Sequence, residues 1–157
     1  SPRRYHPYGR GRIMKDIVCR AIDGKEEAAR AAYIEKECLD TAWSEAQISD
    51  IPHYAVYLCA FVNGEMCGIA SVYLIAGEAE IMNLAVLPEY RRNGVADALM
   101  NKIFSLSREN GCTVATLEVA DGNIGAVALY EKHGFKISGR RIGFYKGVDA
   151  LNMEKKL

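Results

Sequence analysis

Glu118 stands in the middle of an apolar run, Leu117-Glu118-Val119. Carboxylates are depleted in strand interiors, so one placed there asks for a purpose. Alternation sets Glu118 on one face with Val114 and Thr116, opposite Ala115, Leu117 and Val119. Apolar surroundings would raise its pKa towards the range of a working general base. A base of that kind could take a proton from a nucleophile before it attacks. Tyr130 follows Asn123 by seven residues. Seven helical steps of ~100° return to nearly the same face. Asn123 and Tyr130 can therefore line one side of a long ligand, with the tyrosine hydroxyl available as an acid for a leaving group. The plainer alternatives are a surface carboxylate in an ordinary strand and a tyrosine packed on a sheet with its hydroxyl in water.

A second group of residues reads as an anion site. In Arg91-Arg92-Asn93-Gly94-Val95-Ala96-Asp97 a strand ends, a glycine-bearing turn follows and a helix begins. The first amides of a helix lack partners, and the helix dipole favours negative charge there. Gly94 allows a phosphate close to the backbone, and the two arginines add charge. The dinucleotide and P-loop glycine patterns are both missing. An exposed turn with solvated arginines is the competing reading.

These groups need elements to position them. Ile17 to Ile22 reads as a first strand. Asp23 with Glu26 forms a capping box for a helix to about Leu39, whose apolar stripe is Ala28, Ala31, Ala32, Ile34 and Cys38. Ser44 caps a short helix that ends near Pro52. Tyr54 to Val62 and Cys67 to Ile75 are strands joined by an Asn63-Gly64 hairpin turn. Glu80 to Leu87 is the next strand, after a turn at Ala76-Gly77-Glu78. Asn93 to Asn110 is a helix with Val95, Leu99, Ile103 and Leu106 on one side, closed by Gly111. Thr113 to Val119 is a strand, Asn123 caps a helix to about His133, and Gly134 stops it. Phe135 to Tyr145 and Val148 to Met153 are the last strands. The order βααβββαβαββ gives an α/β (α+β) fold with a mixed central sheet, and residues 81 to 119 form a β-α-β unit with a parallel pair.

Composition narrows the classes. The chain has 157 residues, half of them apolar, and zero formal net charge. That suits one domain over residues 14–157 and argues against specific nucleic-acid binding. The first twenty residues are nevertheless basic, with Arg3, Arg4, Arg10, Arg12, Lys15 and Arg20 against Asp16 alone. Residues 1–13 read as an extended basic arm or a leader, with Met14 a candidate start. An RNA or partner contact and a transit peptide are the less favoured readings of that arm. No apolar run approaches the ~18 residues that span a bilayer. The five cysteines show neither C-x-x-C nor zinc spacing, so reduced thiols in a cytoplasmic protein without a metal are expected. Among them, Cys112 could carry an acyl group and Cys59 and Cys67 could face each other across a hairpin, but buried thiols are the default. His133 reads as a helix C-terminal residue rather than a base.

Arg91-x-x-Gly94-x-Ala96, preceded by Asn83-Leu84-Ala85-Val86-x-Pro88, resembles the acetyl-CoA pyrophosphate motif [QR]-x-x-G-x-[GA] of the GNAT N-acetyltransferase superfamily. Leu117-Glu118-Val119, Asn123 and Ala128-Leu129-Tyr130-Glu131-Lys132-x-Gly134-Phe135 resemble the later blocks of the same fold, so residues 81 to 135 carry the likeness. Trp43-Ser44-Glu45, Arg140-Arg141-x-x-x-Tyr145 and Asp149-Ala150-Leu151-x-Met153 are similar to the ribosomal-protein alanine N-acetyltransferases within it. That group has Tyr-Tyr-Pro where this chain has Phe144-Tyr145-Lys146. The resemblance implies direct acetyl transfer from acetyl-CoA to a primary amine, with the N-terminal amine of a (ribosomal) protein as the preferred acceptor. It implies Glu118 as base and Tyr130 as acid, and Tyr145 as a substrate contact. Acetyl-CoA would be held by Leu84, Ala85 and Val86 on a bulged strand, by Arg91 to Asp97 and by Asn123. A small-molecule amine acetyltransferase and a non-catalytic acyl-CoA-binding module remain as alternatives. Either a monomer or a homodimer is compatible with the sequence.

Overall fold

A computed structural model describes residues 16–157, so the arm at residues 1–13 and Met14 lie outside it. The elements are β1 (Ile17–Ala21), α1 (Gly24–Cys38), α2 (Glu45–Ser49), β2 (Ala55–Val62), β3 (Glu65–Ile75) and β4 (Glu78–Val86). After a single 3-10 turn at Pro88–Tyr90 come α3 (Val95–Glu109), β5 (Val114–Ala120), α4 (Ile124–Lys132), β6 (Lys136–Tyr145) and β7 (Val148–Lys156). This is the expected order. The strands form one mixed seven-stranded sheet in the order β1-β2-β3-β4-β5-β7-β6. β4 and β5 pair in parallel from Glu78↔Val114 to Ile81↔Leu117, and β5 pairs antiparallel with β7. No helix among the described residues is long and apolar enough to cross a membrane.

Turn chemistry fixes the hairpins. Asn63-Gly64, Ala76-Gly77 and Lys146-Gly147 each place two successive residues at positive φ, the geometry whose twist matches a two-residue hairpin. Of these, only Asn63-Gly64 is a strong signal in sequence.

Two compact units are distinguished, and β3, β4 and α3 contribute to both. The first comprises described residues 16–71 and 83–102. Its core includes Ala31, Ile34, Leu58, Ile69 and Leu99, all buried. The expected Asp23–Glu26 capping box is not formed: Asp23 makes no side-chain cap, and its amide donates to Glu27 Oε1 at 2.9 Å. Glu27 is the residue in place because Arg20 grips its carboxylate at 2.8 and 2.6 Å. The second helix matches expectation, with a reciprocal capping box between Ser44 and Gln47.

The second unit comprises residues 72–82 and 103–157. β5 alternates cleanly: Ala115, Leu117 and Val119 are buried, while Val114, Thr116 and Glu118 are half-buried. Leu117, Leu151, Met153 and Phe135 belong to its core, and Phe104 packs 6.0 Å from Phe135. On α3, Val95, Leu99 and Ile103 are buried as expected, whereas Leu106 is half-buried and Ser107 takes the inner position.

Within the first unit β3 passes very close to α3 at Gly68. A Cβ there would lie 3.2 Å from the Ala85 carbonyl oxygen, 3.2 Å from Val95 Cγ1 and 3.3 Å from Leu99 Cδ1. Gly68→Ala is therefore expected to destabilise the fold by roughly 1–3 kcal/mol through overpacking. Thermal unfolding followed by circular dichroism checks this; an unchanged or raised midpoint would show that the helix can yield.

Candidate active site

The turn after β4 is built from its own side chains. Leu87 N–H donates to the Cys67 carbonyl at 2.8 Å, which ends β4 against β3. Arg91 Nε donates to the Val86 carbonyl at 2.9 Å, so Arg91 is not the bare cation that the sequence suggests. Asn93 Nδ2 donates to the Arg91 carbonyl at 2.8 Å and shapes the turn. Arg92 and Gly94 both take left-handed backbone, at φ 62 and 86. The first bond of α3 runs from Ala98 N–H to the Gly94 carbonyl at 3.0 Å, so the amides of Val95, Ala96 and Asp97 precede the ladder. A Cβ on Gly94 would meet nothing nearer than Ile17 Cδ1 at 3.9 Å. The turn thus offers helix-start amides, an open glycine and nearby guanidinium charge, a fitting set for a phosphate.

The side chains of Ala85, Val86 and Val95 are buried in the first unit. Only their backbone groups can therefore meet a ligand. The parallel register of β4 with β5 runs from Glu78↔Val114 to Ile81↔Leu117 and stops short of Leu84–Val86.

In the second unit an open cleft of about 450 Å³ is lined by Glu80, Glu118, Ser138, Arg141, Tyr145 and Asn152 among others. Glu118 and Tyr145, paired in the sequence reading as base and substrate contact, both line it. Glu118 is one-quarter exposed and lies 3.3 Å from Arg141 Nε. Its surroundings are mixed, with Ile81, Met82 and Met153 among the residues lining the cleft. Leu117 and Val119 point to the opposite face, and Glu118 looks instead at polar groups of β4, β6 and β7. Burial, and the charge of Glu118, push the Tyr145 hydroxyl pKa up. Glu78, which accepts from Thr116 Oγ1 at 3.0 Å, also lines the cleft. Three carboxylates against one guanidinium make it attractive to an ammonium.

Tyr130 sits on α4 with its ring edge-on to Phe135 at 5.9 Å. Loss of water pushes its hydroxyl pKa up to about 12, so it stays protonated across the neutral range and remains a donor. Asn123 caps α4, its Oδ1 accepting from Ala126 N–H at 3.2 Å. His133 closes the same helix, its backbone amide donating to carbonyls of the last turn. The five cysteines are free. Burial pushes Cys59 and Cys67 up to about 12 and raises Cys112 as well, which disfavours thiolate and therefore an acyl-carrying role.

One arrangement escaped the sequence reading. Glu35 on α1 is fully buried, and its carboxylate accepts from Tyr57 Oη, from Asn83 Nδ2 at 2.7 Å and from the Trp43 amide at 2.9 Å. Burial pushes its pKa up, against the pull of those three donors. The available signal was positional: Glu35 adjoins Ile34 and falls one turn past Ala31 on the apolar stripe.

Residues 23–135 match the model of the acetyltransferase (GNAT) family. A Bacillus subtilis protein with the provisional name [ribosomal protein bS18]-alanine N-acetyltransferase is 33% identical over 102 residues, covering 64% of this chain and 68% of its own. The Escherichia coli K12 [ribosomal protein bS18]-alanine N-acetyltransferase is 34% identical over 87 residues, 55% of this chain and 59% of that relative, so the match spans under two thirds of its length. The crystal structure of the ribosomal-protein-S18-alanine N-acetyltransferase from Escherichia coli superposes with a TM-score of 0.81 at 27% identity, over 90% of this chain and 94% of the other.

Gly94→Ala puts a side chain on left-handed backbone and is expected to cost about 1–2 kcal/mol of stability and to weaken coenzyme A binding. Thermal unfolding and titration calorimetry read the two effects. An unaltered affinity would separate the turn from the ligand.

Proposed function

The chain belongs to the GNAT acetyltransferase family, and we propose that it moves the acetyl group of acetyl-CoA directly to the N-terminal α-amine of a protein, with a ribosomal protein as the preferred acceptor. The observation that carries this reading is the Glu118 carboxylate on the wall of an open, acid-rich cleft that also presents Tyr145. Support for the acceptor comes from relatives named for alanine acetylation of ribosomal protein bS18. The charge of the cleft agrees, since the acceptor arrives as an ammonium. An α-amine with a pKa near ~8 is about a tenth free at pH 7, whereas a lysine amine near ~10.4 is almost wholly protonated. A carboxylate acting directly or through one water is therefore enough for the former.

Glu118 removes the proton, and the amine attacks the thioester carbonyl. A backbone amide of the Leu84–Val86 stretch stabilises the oxyanion as the tetrahedral intermediate forms. The carbon–sulfur bond then breaks: Tyr130, protonated until this step, gives its proton to the departing thiolate, and the second proton lost by the acceptor nitrogen restores the phenol. Arg91, Arg92, Asn93 and the amides of Gly94, Val95, Ala96 and Asp97 hold the pyrophosphate of acetyl-CoA. Asn123 contacts the same substrate at the start of α4, and Tyr145 contacts the acceptor. Residues 14–157 act as one acetyltransferase domain, working in the cytoplasm.

Incubation with acetyl-CoA and a panel of N-terminal peptides, lysine peptides and small amines, read by mass spectrometry, tests the acceptor. Peptides with a free N-terminal alanine are expected to react at the α-amine; a small amine acetylated faster than every peptide would overturn the assignment. Glu118→Gln is expected to lower kcat near neutral pH by about 100-fold or more, the loss shrinking as rising pH supplies free amine. A parallel pH–rate profile in that variant would remove Glu118 as the base. Tyr130→Phe is expected to slow turnover while leaving acetyl-CoA affinity within about twofold, since one hydroxyl aimed at the sulfur acts mainly in the transition state.

A further inference from the structure

Glu35 is the one charged side chain among the described residues that is buried. A buried carboxylate is costly, and replacing such groups by apolar ones is often neutral or stabilising. Its retention is better explained by what its geometry fixes than by stability. Three donors converge on it from three segments: the Trp43 amide before α2, the Tyr57 hydroxyl on β2 and the Asn83 amide on β4. The Trp43 N–H and the Asn83 NH₂ can only donate and both meet Oε1, so an acceptor is required there, while the Tyr57 hydroxyl meets Oε2.

The same turn of α1 reaches β4 a second time. Cys38 Sγ lies 3.7 Å from the Val86 carbonyl, which also accepts from Arg91 Nε at 2.9 Å. Glu35 and Cys38 are one helical turn apart on α1, so they present to one side. Asn83 and Val86 are thus both tied down, with Leu84 and Ala85 between them. We propose that Glu35 is a positioning residue: through Asn83 it sets the direction of the Leu84–Val86 backbone and thereby the grip of that backbone on acetyl-CoA. This rests on the reading given under Proposed function, in which that stretch holds the thioester arm.

The test compares Glu35→Leu, which removes the acceptor at similar volume, Asn83→Ala and the double variant with the wild type. The readouts are thermal midpoint, the Kd for acetyl-CoA by calorimetry, and KM and kcat with an N-terminal peptide. Each single variant, while folded, is expected to weaken acetyl-CoA binding by about tenfold, equivalent to ~1.4 kcal/mol, with KM for acetyl-CoA rising more than kcat falls. Because both changes cut one link, the double variant is expected to match the weaker single one. A fall in midpoint with wild-type Kd and KM would leave Glu35 a purely structural residue and overturn the inference. So would a double variant whose loss is the product of the two single losses. If Glu35→Leu does not fold, Asn83→Ala decides alone, since it leaves Glu35 its other two donors. A wild-type protein that binds acetyl-CoA yet acetylates no peptide would refute the acceptor reading only, and the calorimetric comparison would still decide this one. Absence of acetyl-CoA binding by the wild type would overturn both.

Discussion

The parallel pairing of β4 with β5 is the constraint from which the candidate site follows. Two parallel neighbours cannot be joined by a tight turn; a crossover of a dozen or more residues is needed, and here it is α3. That requirement puts a helix N-terminus just beyond the end of β4. The sharp entry into the helix then demands left-handed backbone, supplied at Arg92 and Gly94. Helix-start amides that precede the ladder are a consequence of the same geometry, so the candidate anion site comes with the topology rather than as an addition to it. The pairing is also short, four residues on each strand. Leu84 to Val86 on β4 and Glu118 to Ala120 on β5 each continue past it.

The hairpin of β6 and β7 illustrates how the second unit shapes its cleft. The register shifts between Ile137 and Gly139 and again between Arg141 and Tyr145. Such irregularities bend a strand and re-aim its side chains. Here they accompany Arg141 and Tyr145 on the cleft wall, while Ile142 is 88% exposed. Arg140, at 2.8 Å from Asp121 and 2.9 Å from Asp149, ties the hairpin to the loop after β5. These groups are substantially exposed, so the bridges add little stability and serve mainly to fix the path of the chain.

Period and punctuation made most of the fold readable. The alternation of Val114 to Ala120, the Asn63-Gly64 turn, the Ser44 cap and the Gly111 stop all act within a few residues, and each is found in place. The site was readable only in part. Glu118 and Tyr145 both line one cleft, but the environment of Glu118 depends on Arg141, which lies beyond α4 on β6. Arg91 looked like a free cation because nothing local announces its bond to the Val86 carbonyl. Glu35 was invisible for the same reason: an acidic residue in a helix is ordinarily a solvated one, and two of its donors, Tyr57 and Asn83, come from distant strands.

The chemistry that the chain does not use sharpens the one proposed for it. Five thiols are present, and a thiolate could in principle take an acetyl group from a thioester. Those at Cys59, Cys67 and Cys112 are buried, and burial raises their pKa, because an apolar interior disfavours the anion that would attack. Tyr130 is affected by the same desolvation with the opposite value: a phenol held near 12 is useless as a nucleophile and dependable as a donor. Glu118, by contrast, opens onto an accessible cleft, where an incoming ammonium can reach it. Burial thus disfavours attack by these three thiols and keeps the donor protonated. The amine of the acceptor is left as the group best placed to attack, which is the physical case for direct transfer.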